Sequence, residues 1–192
     1  MGKQRSTKGT GQVRIISGSW RGRRLQVPDL PGLRPSGDRA RETLFNWLQP
    51  GLPGARVLDL FAGSGALGFE AASRGAQMVT LVEQAPQAVA ALRAARELLQ
   101  ADAVTIHHGD ALAWLGQLPP RSLDLIFLDP PFGTELAAQA LQLLETGDGL
   151  AANGRLYLES SLQEAPVPVA ASLSLEREKQ LGEVRMQLFR KS

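Results

Sequence analysis

The chain of 192 residues contains no cysteine and only two histidines. Without thiols there is no disulfide, no thiolate nucleophile and no zinc site built on thiolates. The histidines, His107 and His108, are adjacent. Neighbours on a strand point to opposite faces, so at least one is structural and no metal centre is expected. Long apolar runs are missing as well. No stretch is long enough to span a bilayer, and the basic start has no signal-peptide core, so a cytoplasmic protein is expected. There is no internal repeat and no sign of a second domain. With 43% hydrophobic residues, the length suffices for one α/β domain with a well-buried core.

A large net charge is also lacking, the total being +2, but the distribution is uneven. Residues 1–41 hold ten Lys/Arg against Asp29 and Asp38, a local charge of +8 that leaves −6 on the other 151 residues. A basic arm on a slightly acidic body points to a polyanion partner bound in a salt-dependent way. Residues 1–12 read as a disordered, solvated tail. Arg14, Arg21, Arg23 and Arg24 are interleaved with apolar Ile15, Ile16, Trp20 and Leu25, which predicts a hairpin arm over 13–35 that contacts RNA.

The most informative segment is Asp129-Pro130-Pro131-Phe132, which follows the apolar run from Leu123 to Leu128. That run reads as a buried strand, and open α/β sheets bind ligands at the carboxyl ends of their strands. Proline fixes φ and has no N–H, so a Pro-Pro step presents carbonyls without competing donors. The Pro130 carbonyl and the Asp129 carboxylate can together accept both hydrogens of an exocyclic amino group. Its lone pair then leaves conjugation with the ring and aims at an electrophilic methyl. Phe132 is placed to stack on the ring. The alternative is a strand-ending turn with Phe132 in the core.

Arg56 to Phe61 is a second short apolar run, followed by Gly63-Ser64-Gly65-Ala66-Leu67-Gly68 and a helical segment. Strand, glycine turn and helix make a nucleotide-cofactor loop, and the six residues fit G-x-G-x-x-G, which alone is weak evidence. In a dinucleotide enzyme the loop cradles a pyrophosphate. Asp59, four residues ahead of Gly63, opposes that anion and suits an ammonium. Met78 to Glu83 reads as the next strand, with its last acid placed for two ribose hydroxyls. Val104 to Asp110 reads as a third, with its acid placed for an adenine amino group. One acid each for ammonium, ribose and adenine describes S-adenosylmethionine. Each acid taken singly is also open to a reading as a solvated loop residue or helix cap. The electrophilic sulfonium needs neither a metal nor a covalent enzyme intermediate, and the lack of cysteine removes carbon-5 pyrimidine methylation through a thiolate.

The remaining segments read as scaffold. Asp38 to Leu48 places Ala40, Leu44, Trp47 and Leu48 on one helical face, and residues 50–54 break the helix. Further helices are expected at 85–100, 112–118 and 135–145, and strands at 154–159, 172–176 and 184–189. The alternation implies an α/β fold with a mostly parallel sheet covered on both faces, its core spanning 54–192 of a single domain 13–192.

The run Asp59 to Gly68 together with Asp129 to Phe132 resembles the class I S-adenosylmethionine-dependent amino-methyltransferases. Arg14-Ile15-Ile16-Ser17-Gly18, Trp20 to Arg23, Leu25, Arg34-Pro35-Ser36, Arg39 and Arg41 to Leu48 narrow this. They are similar to the D-type small-subunit rRNA guanine-N2 methyltransferases of bacteria, over nearly the whole chain from Val13. The resemblance implies a Rossmann-like sheet of seven strands, the last antiparallel, and methylation of N2 of guanine 966 in 16S rRNA, in the assembling or assembled small ribosomal subunit. It also implies that Arg34 and Arg39 close over the cofactor, Arg39 serving among the RNA contacts as well. Phe61, Gly63, Gly65, Ala111 and Asp129 complete the expected cofactor set beside Asp59, Glu83 and Asp110. A monomer is expected. Ser36 stands where the family usually has threonine, and serine keeps the hydroxyl. Competing readings are the same chemistry on DNA adenine N6 or protein glutamine, and a non-catalytic RNA-binding assembly factor, which needs no intact set of acids. An NAD dehydrogenase is disfavoured by Asp59 and by the lack of a hydride-transfer constellation.

Overall fold

The computed structural model describes residues 11–28, 30 and 37–192. The chain opens with an antiparallel hairpin, β1 (Gly11–Arg14) and β2 (Arg24–Val27), followed by α1 (Asp38–Leu48). A short 3-10 turn leads into β3 (Arg56–Asp59), α2 (Ala66–Ser73), β4 (Met78–Glu83), α3 (Pro86–Leu99) and β5 (Val104–His108). The second half holds α4 (Ala111–Leu115), β6 (Leu123–Leu128), α5 (Leu136–Gly147), β7 (Leu150–Ser161), β8 (Leu173–Leu181) and β9 (Val184–Lys191). Strands β3 to β9 form one seven-stranded sheet in the order β5-β4-β3-β6-β7-β9-β8. The five neighbours from β5 to β7 pair in parallel, and β9 runs antiparallel to both β7 and β8. This is the mostly parallel sheet, with its last strand reversed, that the alternation and the family resemblance imply.

The central strands are apolar on both sides because helices cover both sides. One face buries Val57, Leu81, Leu125, Phe127 and Tyr157 against α1, α2, α3 and the hairpin residues Ile15 and Leu25. The other buries Leu58, Val82, Ile126, Leu128 and Leu156 beneath α4 and α5. On the first face Phe127 meets Phe45 and Tyr157 edge-on, with ring centroids 5.9 and 6.3 Å apart. Such pairs contribute about 0.5–1.5 kcal/mol beyond their buried area. The chain leaves β3 toward β4 on one side, while β6 lies on the other. The crevice above that switch of direction is where an open α/β sheet binds its ligand.

The hairpin is fastened to α2. Glu70, fully buried, accepts the amides of Ile16 at 2.7 Å and Ser17 at 3.0 Å and the Arg74 Nε at 2.7 Å. The buried Arg41 guanidinium lies 3.7 Å from the same carboxylate. Ser73 Oγ accepts the Trp20 amide at 3.0 Å and donates to the Ser17 carbonyl at 2.6 Å. Gly18 passes so close, at φ +83°, that a Cβ there would sit 1.8 Å from the Ser73 carbonyl oxygen. Only glycine allows that approach.

Several expectations change. The first strand begins at Gly11, so the tail expected over 1–12 is shorter; its residues 1–10 lie outside the described residues, as do Arg34 and Ser36. On α1 the buried residues are Arg41, Leu44, Phe45 and Leu48, whereas Ala40 and Trp47 are half-buried. The apolar face is therefore turned from the expected one, because the buried Glu70 carboxylate calls a guanidinium into the interior at position 41. β7 and β8 also run beyond the expected spans, to Ser161 and Leu181.

Candidate active site

Asp59 ends β3 and is 2% exposed. Its Oδ2 accepts the Gly68 amide at 3.0 Å, pinning the first turn of α2. Burial raises its pKa to about 7, with the Gly68 hydrogen bond opposing and the Glu83 charge adding to the shift. The turn above it has a glycine on either side of Ser64. Gly63 and Gly65 have φ of +52° and +74°, and a Cβ on Gly65 would fall 2.6 Å from Leu92 and 2.7 Å from Phe69.

Glu83 ends β4 and holds two backbone segments. Its Oε2 accepts the Gly63 amide at 2.8 Å and its Oε1 the Ala85 amide at 2.7 Å. Its own carbonyl accepts the Gly109 amide at 3.0 Å, which draws the end of β5 into the group. Asp110 is exposed and caps α4, Oδ1 taking the Ala113 amide at 2.8 Å. The helix-cap reading thus holds for Asp110, at a contribution of about 1 kcal/mol. It does not conflict with a ligand role, since an ionised carboxylate has about four acceptor positions. Ala111 is buried and Phe61 half-buried. His107 packs edge-on against Trp114, with centroids 6.4 Å apart.

The Asp129-Pro130-Pro131-Phe132 segment follows β6 directly. Asp129 is half-buried and Pro130 buried, while Pro131 is exposed. Phe132 is 46% exposed, which rules out the reading that places it in the core. The turn is closed by the Thr134 hydroxyl donating to the Pro131 carbonyl at 2.7 Å and by Glu164 accepting the Gly133 amide at 2.5 Å. Asp59 and Phe127 are register partners, so Asp59 and Asp129 end adjacent strands at the switch point.

Two residues of this site were not singled out from the sequence. Phe127 pairs with Tyr157 and Leu128 with Leu158, so one step further up the strands Asp129 stands beside Glu159. The Tyr157 hydroxyl donates to Glu159 Oε2 at 2.7 Å, with both side chains buried. Burial first, then the charges of Glu159 and Asp129, push the Tyr157 pKa well above its ordinary value. A signal existed: Leu156-Tyr157-Leu158-Glu159 is an apolar run ending in an acid, like the four runs that were noticed.

The expected RNA contacts lie elsewhere, on the hairpin and α1. Arg14, Arg21, Arg23, Arg24 and Arg39 are all exposed. Arg14 lies 3.4 Å from Asp38, Arg23 donates to the Leu98 carbonyl at 3.3 Å and Arg24 to Gln12 at 3.1 Å. Two clefts lie near the amino ends of the strands, one lined by Leu52, Leu125 and Arg155, the other by Met78, Asp102 and Thr105. Neither contains the strand-end acids. Among the described residues no group of three or more His, Asp or Glu is placed to hold a metal, and no helix is long and apolar enough to cross a membrane.

Carboxylates at three successive strand ends, around a tight glycine turn, fit a nucleoside carrying a cation. A pyrophosphate in the same place faces Asp59 and Glu83, which repel it. The residues therefore fit S-adenosylmethionine.

Comparison with known proteins agrees. The family model described as conserved hypothetical protein 95 matches residues 13–190. The chain is 43% identical over 189 residues to ribosomal RNA small subunit methyltransferase D of Escherichia coli, covering 98% of this chain and 95% of that protein. It is 40% identical over 192 residues to the protein of the same name from Haemophilus influenzae, covering 98% and 99%. Among solved structures, the Escherichia coli protein yhhF, described as a methyltransferase, superposes with a TM-score of 0.87 at 41% identity, over 95% of this chain and 99% of that one.

Proposed function

The chain belongs to the conserved hypothetical protein 95 family, together with the small-subunit rRNA methyltransferases D, and on that premise we propose that it transfers a methyl group from S-adenosylmethionine to the exocyclic N2 of one guanine of 16S rRNA, the nucleotide 966 that the family resemblance implies. The substrate is the assembling or assembled small ribosomal subunit, and the chain acts as a monomer in the cytoplasm. The observation that carries this reading is the exposed Phe132 beside Asp129 at the same edge of the sheet as Asp59, Glu83 and Asp110.

When bound, S-adenosylmethionine supplies an electrophilic methyl. Asp59 attracts the ammonium of the donor from beneath the glycine turn, Glu83 takes the ribose hydroxyls and Asp110 with Ala111 and Phe61 takes the adenine. The family resemblance adds Arg34 and Arg39 as cofactor contacts. The Gly63 to Gly65 turn lets the backbone approach closely because no Cβ intervenes. Phe132 stacks on a guanine that is flipped or already unpaired, a contact worth about 1–3 kcal/mol. Asp129 and the Pro130 carbonyl accept the two N2 hydrogens, so the nitrogen lone pair points away from the ring, toward the methyl. After transfer the nitrogen carries an extra proton, and Asp129 is the adjacent acceptor. The exposed arginines of the hairpin meet RNA phosphates; neutralising Arg21, Arg23 and Arg24 together lowers the salt slope of RNA binding by about one per lost contact.

The test is nucleoside mass spectrometry of 16S rRNA from cells without this protein. Loss of one N2-methylguanine, restored by the intact gene, is the expected result. An unchanged methylation pattern removes the proposal, and a lost N6-methyladenine in DNA or methylglutamine in protein replaces it.

A further inference from the structure

We propose that Glu164 is a positioning residue for methyl transfer: its carboxylate holds the peptide between Phe132 and Gly133 in the orientation that presents the Phe132 ring to the target base. This rests on the guanine methylation proposed above. Phe132 is 46% exposed, and among the described residues it belongs to none of the buried apolar clusters. The interior therefore does not hold the ring, and its direction is set by the backbone on either side. Pro130 and Pro131 restrict φ ahead of it. The Thr134 hydroxyl donates to the Pro131 carbonyl at 2.7 Å, and Glu164 Oε1 accepts the Gly133 amide at 2.5 Å. That amide closes the peptide which Phe132 begins, so this second hydrogen bond fixes ψ of Phe132 itself. An ionised acceptor makes such a bond about twice as strong as a neutral one.

The turn and the acceptor are both built for this contact. Gly133 has φ +76°, and a Cβ there would meet nothing within 4 Å. Glycine thus serves the left-handed backbone and not a crowded space. Glu164 lies in the connection 162–172, which is tied down on both sides of it. The Leu162 amide donates to the Glu183 carbonyl at 2.8 Å, and the Gln163 amide to Ser161 Oγ at 3.1 Å. Further along, Val167 and Val169 pack against the apolar cluster beneath α5. The carboxylate therefore reaches Gly133 from a fixed support.

The test is a double-variant cycle on small ribosomal subunits from cells lacking this protein, with kcat and KM measured separately. Stacking on one base spans about five- to 150-fold, and Phe132→Ala should lose kcat within that range. Glu164→Ala keeps the ring but frees it, and should lose about three- to tenfold in kcat by misorienting the base. KM for the subunit should change less than about threefold, since phosphate contacts dominate RNA affinity. Calorimetric affinity for S-adenosylmethionine should stay within about twofold. Because Glu164 acts only through the ring, Glu164→Ala should change kcat by less than about twofold once Phe132 is alanine. Glu164→Gln, whose side-chain oxygen can accept the same N–H, should recover most of the lost rate.

Losses that multiply in the double variant overturn the proposal, as does a Glu164→Ala protein with the kcat of the unsubstituted one. A Glu164→Gln protein as slow as Glu164→Ala has the same consequence. Should Glu164→Ala fail to fold by circular dichroism, Glu164→Leu, which also lacks an acceptor, takes its place in the cycle and is read the same way. Failure of the underlying reading looks different: the unsubstituted protein then places no methyl on N2 of guanine in these subunits, and the proposal falls with it.

Discussion

The two ends of this one sheet treat their acids differently. Toward the strand starts, carboxylates meet cations. Asp124 takes the Arg56 guanidinium through both oxygens at 2.9 Å, Asp148 takes Arg121 at 2.9 Å and also Lys191, and Glu176 takes Arg155 at 3.0 Å and Arg190 at 3.5 Å. At the strand ends Asp59, Glu83 and Asp110 take backbone amides instead. A cation neutralises an acid, whereas an amide fixes it in place and leaves its charge for something else. One end of the sheet pairs its acids with cations, and the other holds them with backbone amides.

The sharpest way to break this comparison is at Asp129. Asp129→Ala should lower methyl transfer by at least about 10²–10³-fold, the scale of losing one well-placed hydrogen-bonding group at a reacting centre. Its thermal midpoint should stay near that of the unsubstituted protein, and S-adenosylmethionine should bind within about tenfold by calorimetry, since the other acids hold the cofactor. An Asp129→Ala protein that keeps its rate, or one that unfolds, places this acid with the structural ones. Next in size is Glu70, the acid that belongs to neither end. Removing one partner of a buried ion pair costs about 3–5 kcal/mol, and Glu70 also anchors the hairpin amides of Ile16 and Ser17. Glu70→Ala should therefore lower the free energy of chemical unfolding by that amount and free the hairpin to proteolysis between Arg14 and Arg24. A stable variant with a protected hairpin shows that the arm is held by its apolar residues alone.

What could be read in advance follows the range of the contacts. An apolar run, an acid at its end and a glycine turn are local patterns, and they located Asp59, Glu83, Asp110 and Asp129 at the carboxyl edge of the sheet. Glu159 carries the same local signature but sits in a strand whose neighbours looked like scaffold; only pairing with β6 places it at Asp129. The junction of Glu70, Ser73, Gly18 and Arg41 was not legible, because its hydrogen bonds join residues more than fifty positions apart. Arg41 in particular entered the sequence reading only through the basic charge of residues 1–41 and the family resemblance. A buried arginine is recognisable only once the acid it pairs with is known, and Glu70 lay in a helix with nothing to mark it as interior.

The third test weighs stability against function at Asp59. Its carboxyl is raised to about 7 by burial, against about 3.9 for an ordinary aspartate. The folded state therefore binds more protons than the unfolded state between these values, so stability is full below about pH 4, declines as pH rises toward 7 and is level above. Asp59→Asn keeps an acceptor for the Gly68 amide without the charge. It should match the unsubstituted protein near pH 4 and exceed it at pH 8, by at most about 4 kcal/mol, and bind S-adenosylmethionine about tenfold more weakly. Chemical unfolding at the two pH values, with calorimetry at pH 8, measures both. A variant that gains stability and keeps cofactor affinity leaves Asp59 as a loop anchor and nothing more.

The smallest effect is expected at the opposite end, from Asp124. Both members of its pair with Arg56 have side chains 38% exposed, so solvent and salt screen the interaction, and such pairs contribute about 0–1 kcal/mol. The Arg56 hydrogen bond holds the Asp124 carboxyl below its ordinary pKa against the opposing effect of burial. Its contribution is present above the unfolded value of about 3.9 and is lost as pH falls through the lower folded value. The thermal midpoints of Asp124→Asn and the unsubstituted protein should thus differ by a few degrees at most at pH 7 and converge on acidification below about pH 4. Raising the salt concentration at pH 7 should narrow the gap as well. The rate of methyl transfer and the affinity for S-adenosylmethionine should both stay unchanged, because a neutralised acid at the strand starts has no charge left to offer a ligand across the sheet. A loss of activity in Asp124→Asn without loss of stability means that the two ends are coupled through β3 and β6, and that pairing with a cation does not separate structural acids from functional ones.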